Sequence, residues 1–381
     1  MKSLLSFLIV CGLLLMLGCS KQGEGDQGDS SRQAESTRQQ MSSFRGDLEH
    51  TGVYGARALR GPVKLVWSFP AKGRIRSSPC TFRSSVYFGT EGGQFYSLDL
   101  PTGHLRWSFA TGKKIDSSAS VANDTVFFGS GDGMIYALAT EDGSIRWSLA
   151  TDSPIYSSPL VADGKIYVSN KRKLYALDAN TGKTLWIYDS GDDDTGQGPT
   201  LWKESVFLGT YRGDVLKLDR STGALQWKLN NGFLVESTPA IAGGMVYFAT
   251  WDPSQVCCCD VTSGRTRWTY KTTSLTKSGV AIYKNMVFFG DMSFSFYALS
   301  ADKGKVVWRY TCSPVRGSAS ISQGIVYFGD QNGNLHALDW RTGKEIWKYQ
   351  ISAPICSTPA IADDLVIFGG DDSVLYAVGR R

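Results

Sequence analysis

The stretch Ala176-Leu177-Asp178-Ala179-Asn180-Thr181-Gly182-Lys183-Thr184-Leu185-Trp186 decides the fold, because its pattern returns along most of the chain. Full copies of Asp-x-x-Thr-Gly-x-x-x-Trp also begin at Asp99, Asp219 and Asp339. The tryptophans of the repeat lie 39 to 41 residues apart, at Trp67, Trp107, Trp147, Trp186, Trp227, Trp268, Trp308 and Trp347. A fixed period of this length is typical of propellers and other repeat architectures.

Each repeat contains four short runs that predict β-strands. In the first repeat these runs cover residues 75–79, Val86-Tyr87-Phe88, residues 95–99 and residues 105–109. No segment keeps an apolar period of 3.6, which would indicate a helix. Four strands in each unit of about 40 residues, repeated eight times, predict an all-β fold: an eight-bladed β-propeller of four-stranded antiparallel blades.

The two ends of the repeat region predict how the ring closes. Val63-Lys64-Leu65-Val66-Trp67 has the pattern of a fourth strand but precedes any first strand, and the last unit stops after its third strand. We therefore expect the N-terminal strand to complete the last blade, which removes exposed sheet edges. A WD-type propeller would repeat Gly-His and Trp-Asp pairs from unit to unit, and a linear solenoid would not leave a split unit.

The first residues of the chain have the features of a lipoprotein signal. A basic Met1-Lys2 start precedes an apolar run over residues 4–17, which ends in Gly18-Cys19. Such a run suits a signal-peptide core. We predict a signal peptide over residues 1–18, a lipidated Cys19 with a flexible polar tether over residues 19–43, and a propeller over residues 44–381. The alternative is ordinary secretory cleavage with an incidental cysteine.

Composition excludes several classes of function. The charged share is 20% and the formal net charge +5, so charge gives no argument for binding nucleic acid. The 3 histidines, His50, His104 and His336, are scattered, which disfavours a zinc site or histidine-centred catalysis. We predict no catalytic residue and no metal ligand.

Two columns of the repeat vary in chemistry, while the turns with Thr-Gly stay uniform. The first column follows the apolar residue that opens each first strand: Arg76, Asp116, Tyr156, Gly196, Glu236, Lys277, Arg316 and Cys356. The second lies in the turn between second and third strands: Glu91, Asp132, Arg172, Arg212, Trp251, Met292, Asn332 and Asp371. In an up-and-down blade both columns lie on one face. We predict a binding face there, formed by Arg76, Asp116, Tyr156, Glu236, Lys277, Arg316, Arg212 and Trp251. The alternative is that the loop sequences vary because they have no function to preserve.

The repeated tryptophans are interpreted as structural.

Cysteines and acidic residues offer weaker candidates. Cys257-Cys258-Cys259 aligns with a third strand, where cysteine behaves as a small hydrophobic residue. Cys80, Cys312 and Cys356 show no zinc spacing, although a disulfide between some pair stays open. Asp192-Asp193-Asp194 is interpreted as a solvated acidic turn in preference to a Ca²⁺ site.

The Trp-containing motif resembles the tryptophan-docking motif of pyrroloquinoline-quinone (PQQ)-like propeller repeats over about residues 61–381. With a lipoprotein signal and a single propeller, the chain is similar to the BamB family of outer-membrane β-barrel assembly lipoproteins. Residues 44–52 instead resemble the lead-in of other bacterial PQQ-like repeat proteins.

The resemblance implies a non-catalytic scaffold without a cofactor, monomeric within a complex. It would bind envelope proteins at the periplasmic side of the outer membrane. The alternative that it implies is a PQQ-dependent quinoprotein dehydrogenase or a PQQ-binding protein. Such an enzyme would need Ca²⁺ ligands and a base Asp, and an adjacent-cysteine disulfide lies over the quinone in that class.

Overall fold

The computed structural model describes residues 41–191, 195, 198–230, 232, 234–235 and 237–380. Within those residues 34 β-strands form eight sheets, and no helix is present. The part of the chain described therefore contains no helix long and apolar enough to cross a membrane. The predicted eight-bladed propeller of antiparallel blades is confirmed.

The strands are numbered in chain order, and each blade has a first strand at the channel and a fourth strand at the outside. The first strands of blades one to eight are β4 (Cys80–Phe82), β8 (Ser120–Ala122), β12 (Leu160–Ala162), β16 (Thr200–Trp202), β20 (Ala240–Ala242), β24 (Ala281–Tyr283), β28 (Ser320–Ser322) and β32 (Ala360–Ala362). The second strands are β5 (Ser85–Gly89), β9 (Thr125–Gly129), β13 (Lys165–Ser169), β17 (Ser205–Gly209), β21 (Met245–Thr250), β25 (Met286–Gly290), β29 (Ile325–Gly329) and β33 (Leu365–Gly369).

The third strands are β6 (Gln94–Asp99), β10 (Met134–Ala139), β14 (Lys173–Asp178), β18 (Asp214–Asp219), β22 (Gln255–Asp260), β26 (Ser295–Ser300), β30 (Asn334–Asp339) and β34 (Val374–Gly379). The fourth strands are β7 (Leu105–Ala110), β11 (Ile145–Ala150), β15 (Thr184–Asp189), β19 (Leu225–Asn230), β23 (Thr266–Lys271), β27 (Val306–Thr311), β31 (Glu345–Gln350) and, for blade eight, β3 (Lys64–Pro70). Two further short strands precede the ring, β1 (Met41–Ser42) and β2 (Val53–Tyr54).

The first strands begin later than the sequence predicts. Residues 75–79 were expected to form a strand, but β4 begins at Cys80. Ser77 Oγ donates to Gly89 O at 2.8 Å and accepts from Gly89 N at 2.9 Å, while Ser78 N donates to Ser118 Oγ of the next blade at 2.8 Å. Pro79 has no N–H to donate. These residues therefore link strands and blades through side chains instead of forming a ladder.

Apolar packing between neighbouring blades forms the core. Six of the second strands, including β5 and β9, are buried along their whole length, whereas fourth strands such as β11 alternate between exposed and half-buried residues. Ring stacking crosses from blade to blade: the centroids of Phe95 and Phe128 lie 4.0 Å apart, and those of Phe296 and Phe328 3.9 Å apart. Offset and stacked aromatic pairs add to the stabilisation that buried area gives.

The ring closes as predicted, through the N-terminal strand of the repeat region. Strand β3 pairs antiparallel with β34, and Trp67 lies opposite Ala377 in that register. The two strands come from opposite ends of the chain, so blade eight has no exposed edge at the junction.

Seven of the eight repeated tryptophans dock on the blade that follows their own. Trp107 Nε1 donates to Thr140 O at 2.9 Å, and the ring lies against Gly143, where an added Cβ would lie 2.6 Å from a ring carbon. The same contact joins seven tryptophans to Gly103, Gly143, Gly182, Gly223, Gly264, Gly304 and Gly343. Trp347 differs because blade eight has no such turn; its Nε1 donates to Leu59 O at 2.7 Å. A residue just before the ring thus provides the carbonyl that accepts the Trp347 hydrogen bond.

Candidate binding site at the channel mouth

Backbone hydrogen bonds bring the two variable columns to one face of the ring. The turn residue Glu91 donates its N–H to Arg74 O, two positions before Arg76, at 2.9 Å. The same bond joins Trp251 to Leu234 and Met292 to Leu275, each at 2.9 Å. We call this surface, which carries the turns between second and third strands, the mouth face. The Thr-Gly turns between third and fourth strands lie on the opposite face, because antiparallel strands alternate in direction.

Five of the predicted residues line one cavity of about 210 Å³ in the channel. They are Arg76, Asp116, Tyr156, Lys277 and Arg316, and Cys356 joins them. Trp251 is not part of the lining, but the Lys277 ammonium lies 5.0 Å from its ring centroid. Arg212 is exposed on the same face and does not line the cavity. Glu236 and Gly196 lie outside the described residues.

Charges at the rim of this cavity are partly paired. The Arg76 guanidinium lies 3.1 Å from Glu91 and 3.5 Å from Asp371, and these carboxylates raise its pKa against the opposing effect of desolvation. Asp116 pairs with Lys114 at 2.6 Å, and the same ammonium lies 4.7 Å from the Tyr156 ring centroid. Half-exposed ion pairs of this kind stabilise little and leave their charges available to a partner.

Below the rim, a chain of hydroxyl groups joins neighbouring blades. Ser78 N donates to Ser118 Oγ at 2.8 Å, and Ser118 N to Ser158 Oγ at 3.0 Å. The same pattern continues on the other side of the ring. There Gly279 N donates to Ser318 Oγ, Ser318 N donates to Thr358 Oγ1, and Thr358 N donates to Ser78 Oγ, each over 3.0 Å. Gly198 and Gly279 occupy this column without a hydroxyl.

Residues 41–59, which we call the channel segment, lie across the inner strands beneath the cavity. Strand β1 pairs with β8, and β2 pairs in parallel with β28. Between them, segment carbonyls accept N–H groups from the middle of four first strands: Leu48 from Leu201, Glu49 from Ile241, Thr51 from Ile282 and Gly52 from Ile321. The segment thus pairs inner strand edges that would otherwise be open. Met41 and Ser42 belong to it, although the sequence places them in the tether.

Two polar side chains of the channel segment are fully enclosed. Arg45 and His50 each have 1% exposure. Burial lowers the pKa of Arg45 to about 10, with an opposing effect from Asp47. Burial, and next the charge of Arg45, lower the pKa of His50 to about 3, although the nearby Phe44 and Pro199 carbonyls oppose this shift. Arg45 therefore carries its charge at neutral pH and His50 does not.

Sequence reasoning missed two features of the site. It described residues 44–52 only as a lead-in, because a segment without strand or helix periodicity gives no signal of where it lies. It also missed Phe294, which is 58% exposed in a mouth-face turn with φ of 66°. Four other blades place glycine there, namely Gly93, Gly133, Gly213 and Gly333, and blade eight places the small Ser373. A bulky residue in this conformation costs roughly 1–2 kcal/mol, so the repeat alignment itself marks Phe294 as exceptional.

The described residues do not fit a calcium–quinone site. No group of three His, Cys, Asp or Glu side chains among them is placed to hold a metal ion. Cys257, Cys258 and Cys259 are buried thiols within β22, and desolvation raises the pKa of each to about 12. As predicted, they lie in a third strand. Asp192-Asp193-Asp194 lies outside the described residues.

Fold and site together define a class, the eight-bladed propellers built from PQQ-like repeats. A family model described as "Outer membrane protein assembly factor BamB" matches residues 96–201, 170–323 and 298–380, and the chain belongs to that family.

Individual relatives match shorter stretches. The chain is 32% identical over 160 residues to the outer membrane protein assembly factor BamB of Nitrosomonas eutropha, covering 40% of this chain and 38% of that protein. It is 33% identical over 105 residues to the dehydrogenase subunit of a quinone alcohol dehydrogenase from Gluconobacter oxydans, covering 22% of this chain and 14% of that one. The chain thus spans well under two thirds of either relative.

The crystal structure of BamB from Moraxella catarrhalis is similar over nearly its whole length. Its TM-score is 0.71 at 18% identity, and the match covers 84% of this chain and 98% of that chain. Identity at this level supports the shared fold alone.

Proposed function

We propose that this chain is a non-catalytic, lipid-anchored scaffold of the bacterial outer membrane, whose mouth face binds protein partners on the periplasmic side during β-barrel protein assembly. Family membership supports the setting. Cys19, the proposed lipid attachment site, lies outside the described residues. The observation that best supports the binding role is that both variable columns lie on the mouth face.

The mouth face has the chemistry of a protein-binding surface. Tyr156 is 45% exposed and Phe294 58% exposed, and Trp251 lies beside Lys277. Aromatic residues and arginine are enriched at binding hot spots. Paired charges such as Arg76 with Glu91 and Asp371 lie on the same face. A surface of large aromatics within mixed charge suits a folded or extended protein partner.

The repeated Thr-Gly turns of the opposite face offer little for recognition. Its turns satisfy their own polar groups: Asp178 Oδ1 accepts from Thr181 N at 2.9 Å and from Thr181 Oγ1 at 2.8 Å. The same bonds recur at Asp219 with Thr222 and at Asp339 with Thr342. These side chains are small, repeated and already paired, so they distinguish few partners.

Capture of envelope proteins tests this proposal. Replacing Trp251 and Arg316 together by Ala should weaken capture by on the order of 2 kcal/mol or more, because such anchors dominate interfaces. A matched control, Trp340→Ala with Arg341→Ala, removes the same residue types from the opposite face, where Arg341 lies 4.9 Å from the Trp340 ring centroid. It should capture partners as the unchanged protein does.

The measurement is a pull-down from envelope membranes, quantified for each variant, with circular dichroism to check the fold. Trp186→Ala should lower the stability of the fold and weaken capture together, since Trp186 docks on Gly223 of the next blade. Equal capture by the mouth-face variant and the unchanged protein would exclude this face as the binding surface.

The quinone alcohol dehydrogenase relative favours a second candidate function, oxidation of an alcohol by bound quinone. Its test is to mix purified protein with PQQ and Ca²⁺ and to measure both bound quinone absorbance and dye-linked alcohol oxidation. Saturable quinone binding with turnover would replace the scaffold proposal by the enzymatic one.

A further inference from the structure

The closed end of the channel contains a buried cation without a counter-ion. Arg45 lines the cavity and is 1% exposed. Its Nη2 donates to Val280 O, but its Nε and Nη1 have no hydrogen-bond partner. A buried guanidinium that keeps two groups unpaired is costly unless an anion supplies the missing acceptors.

The fold leaves room for this guanidinium at one particular position. Gly279 occupies a column where five other blades have serine or threonine hydroxyls in the interblade chain. A Cβ at Gly279 would lie 2.7 Å from Arg45 Nη1 and 2.8 Å from Ser318 Oγ. Any larger residue would push the guanidinium aside, so Gly279 and Arg45 together place a cation at the floor of the cavity.

No carboxylate among the described residues forms an ion pair with Arg45, although the charge of Asp47 raises its pKa. Asp47, two residues away, accepts from Thr51 N at 2.8 Å and from Thr51 Oγ1. At the rim, Asp116 and Asp371 each use one oxygen for Lys114 and Arg76 respectively. Each has a second, unpartnered oxygen, but these lie at the rim beside cations. Among the described ion pairs none includes Arg45, Lys277 or Arg316, which all line the cavity.

Hydrogen-bond donors surround the same space. Five hydroxyls of the interblade chain accept an N–H group and keep their own hydrogen for donation; they are those of Ser78, Ser118, Ser158, Ser318 and Thr358. The cavity of about 210 Å³ holds several waters at roughly 30 Å³ each, or one small oxyanion with waters.

We propose that the closed end of the channel binds an oxyanion, the phosphate or carboxylate group of its ligand, with Arg45 as the buried cation. Lys277 and Arg316 attract the anion at the entrance, and the guanidinium with the hydroxyls receives its oxygens. Charged hydrogen bonds from a guanidinium to an oxyanion are among the strong ones in proteins. The site goes beyond the proposed scaffold function and does not depend on a protein partner.

The experiment measures anion binding to the purified mature protein, with no partner present. Sodium phosphate is titrated by calorimetry, and the unfolding midpoint is compared in phosphate and in chloride at equal ionic strength. We expect saturable binding and a midpoint that rises with phosphate, since a ligand of the native state stabilises it.

Variants separate the site from general charge effects. Arg45→Met keeps the volume but removes the charge, and its midpoint should not depend on phosphate. Arg57→Met removes an exposed arginine of the same segment and should bind as the unchanged protein does. Lys277→Gln, at the entrance, should bind at least tenfold more weakly and serves where Arg45→Met fails to fold.

Two peptides identify the source of the oxyanion. An acetylated tri-alanine with a free carboxylate is compared with its C-terminal amide as a competitor of phosphate. Competition by the acid alone assigns the site to a chain terminus, and no competition assigns it to a free inorganic anion. The proposal is overturned by the absence of saturable phosphate and carboxylate binding to folded protein, or by equal phosphate affinity in Lys277→Gln.

The result is independent of partner capture. Arg316 and Lys277 line the cavity and also belong to the mouth face, so the variants that separate the two proposals are Trp251→Ala for partner capture and Arg45→Met for anion binding. Failure of one experiment therefore leaves the other interpretable.

Discussion

His50 lies within the channel segment as a buried neutral side chain. Its ring nitrogens lie 3.0 Å from Phe44 O and 3.0 Å from Pro199 O, so it joins two parts of the chain far apart in sequence. Its pKa is lowered to about 3 in the folded protein by burial and by Arg45. In the unfolded chain the pKa of histidine is about 6.5.

This difference predicts how stability depends on pH. Below about pH 6.5 the unfolded state binds a proton that folded His50 does not, so the free energy of unfolding decreases as pH falls towards 3. The contribution lost by pH 5 is about 1–2 kcal/mol. Urea unfolding at pH 7.5, 6 and 5 should show this decrease, and His50→Gln, which does not titrate, should lose less stability over the same range.

Two comparisons make the His50 measurement specific. Burial raises the pKa of Asp47 to about 6, so protonation of Asp47 increases the free energy of unfolding as pH falls from about 6 to 4, opposite to the effect of His50. The contribution of His50 is therefore the difference in pH dependence between His50→Gln and the unchanged protein. His104 is exposed, and His104→Gln should keep the original pH dependence. An identical decrease in His50→Gln would show that His50 is not the group responsible.

At the scale of elements, strand β3 determines whether the ring is continuous. Trp67 of β3 is 7% exposed, and its Nε1 donates to Leu100 O of blade one at 2.9 Å. It therefore joins the last blade to the first through the same contact that joins the other blades. Truncating a core tryptophan to alanine costs roughly 3–5 kcal/mol.

We expect Trp67→Ala to destabilise the propeller about as much as Trp186→Ala, by roughly 3–5 kcal/mol. Trp186 docks in the same way inside an uninterrupted part of the ring, where its Nε1 donates to Arg220 O at 3.1 Å. Equilibrium urea unfolding of both variants gives the comparison. A midpoint for Trp67→Ala equal to that of the unchanged protein would show that the Trp67 contact does not contribute to closure.

The elements were predictable in proportion to their periodicity. Strands β6 and β7 agree with the sequence prediction to within one residue at each end, because apolar alternation and turn residues mark them. The start of the first strands could not be predicted, since Ser77 and Ser78 form side-chain hydrogen bonds, to a neighbouring strand and to the next blade respectively, that no local pattern reveals. The channel segment was missed because its bonds join residues far apart in sequence, such as Glu49 with Ile241.

The whole molecule has two unlike faces and a channel closed between them. The channel segment occupies the inner strand edges, so the cavity beneath Arg76 and Tyr156 ends at Phe44 and Arg45. The repeat predicted two unlike faces, because one set of turns varied and the other did not. It could not predict a closed channel, since the closing residues lie before the first repeat.

Anchoring is the last property that belongs to the whole chain. The proposed lipid on Cys19 precedes a predicted polar tether, and both lie outside the described residues. The composition of this tether offers no second apolar anchor, so membrane attachment of the propeller should depend on Cys19 alone.

Replacing Cys19 by Ser, behind a secretory signal peptide that is cleaved before residue 19, should move the protein from the membrane fraction to the soluble fraction. A signal peptide is needed because an uncleaved apolar run would itself retain the chain. Mass spectrometry of the mature N-terminus confirms cleavage, and fractionation then gives the distribution. Cys11→Ser, within the apolar run of the native signal, is the matched control and should stay with the membrane. A cleaved Cys19→Ser protein that remains in the membrane fraction would contradict lipid anchoring and would assign membrane attachment to the propeller itself.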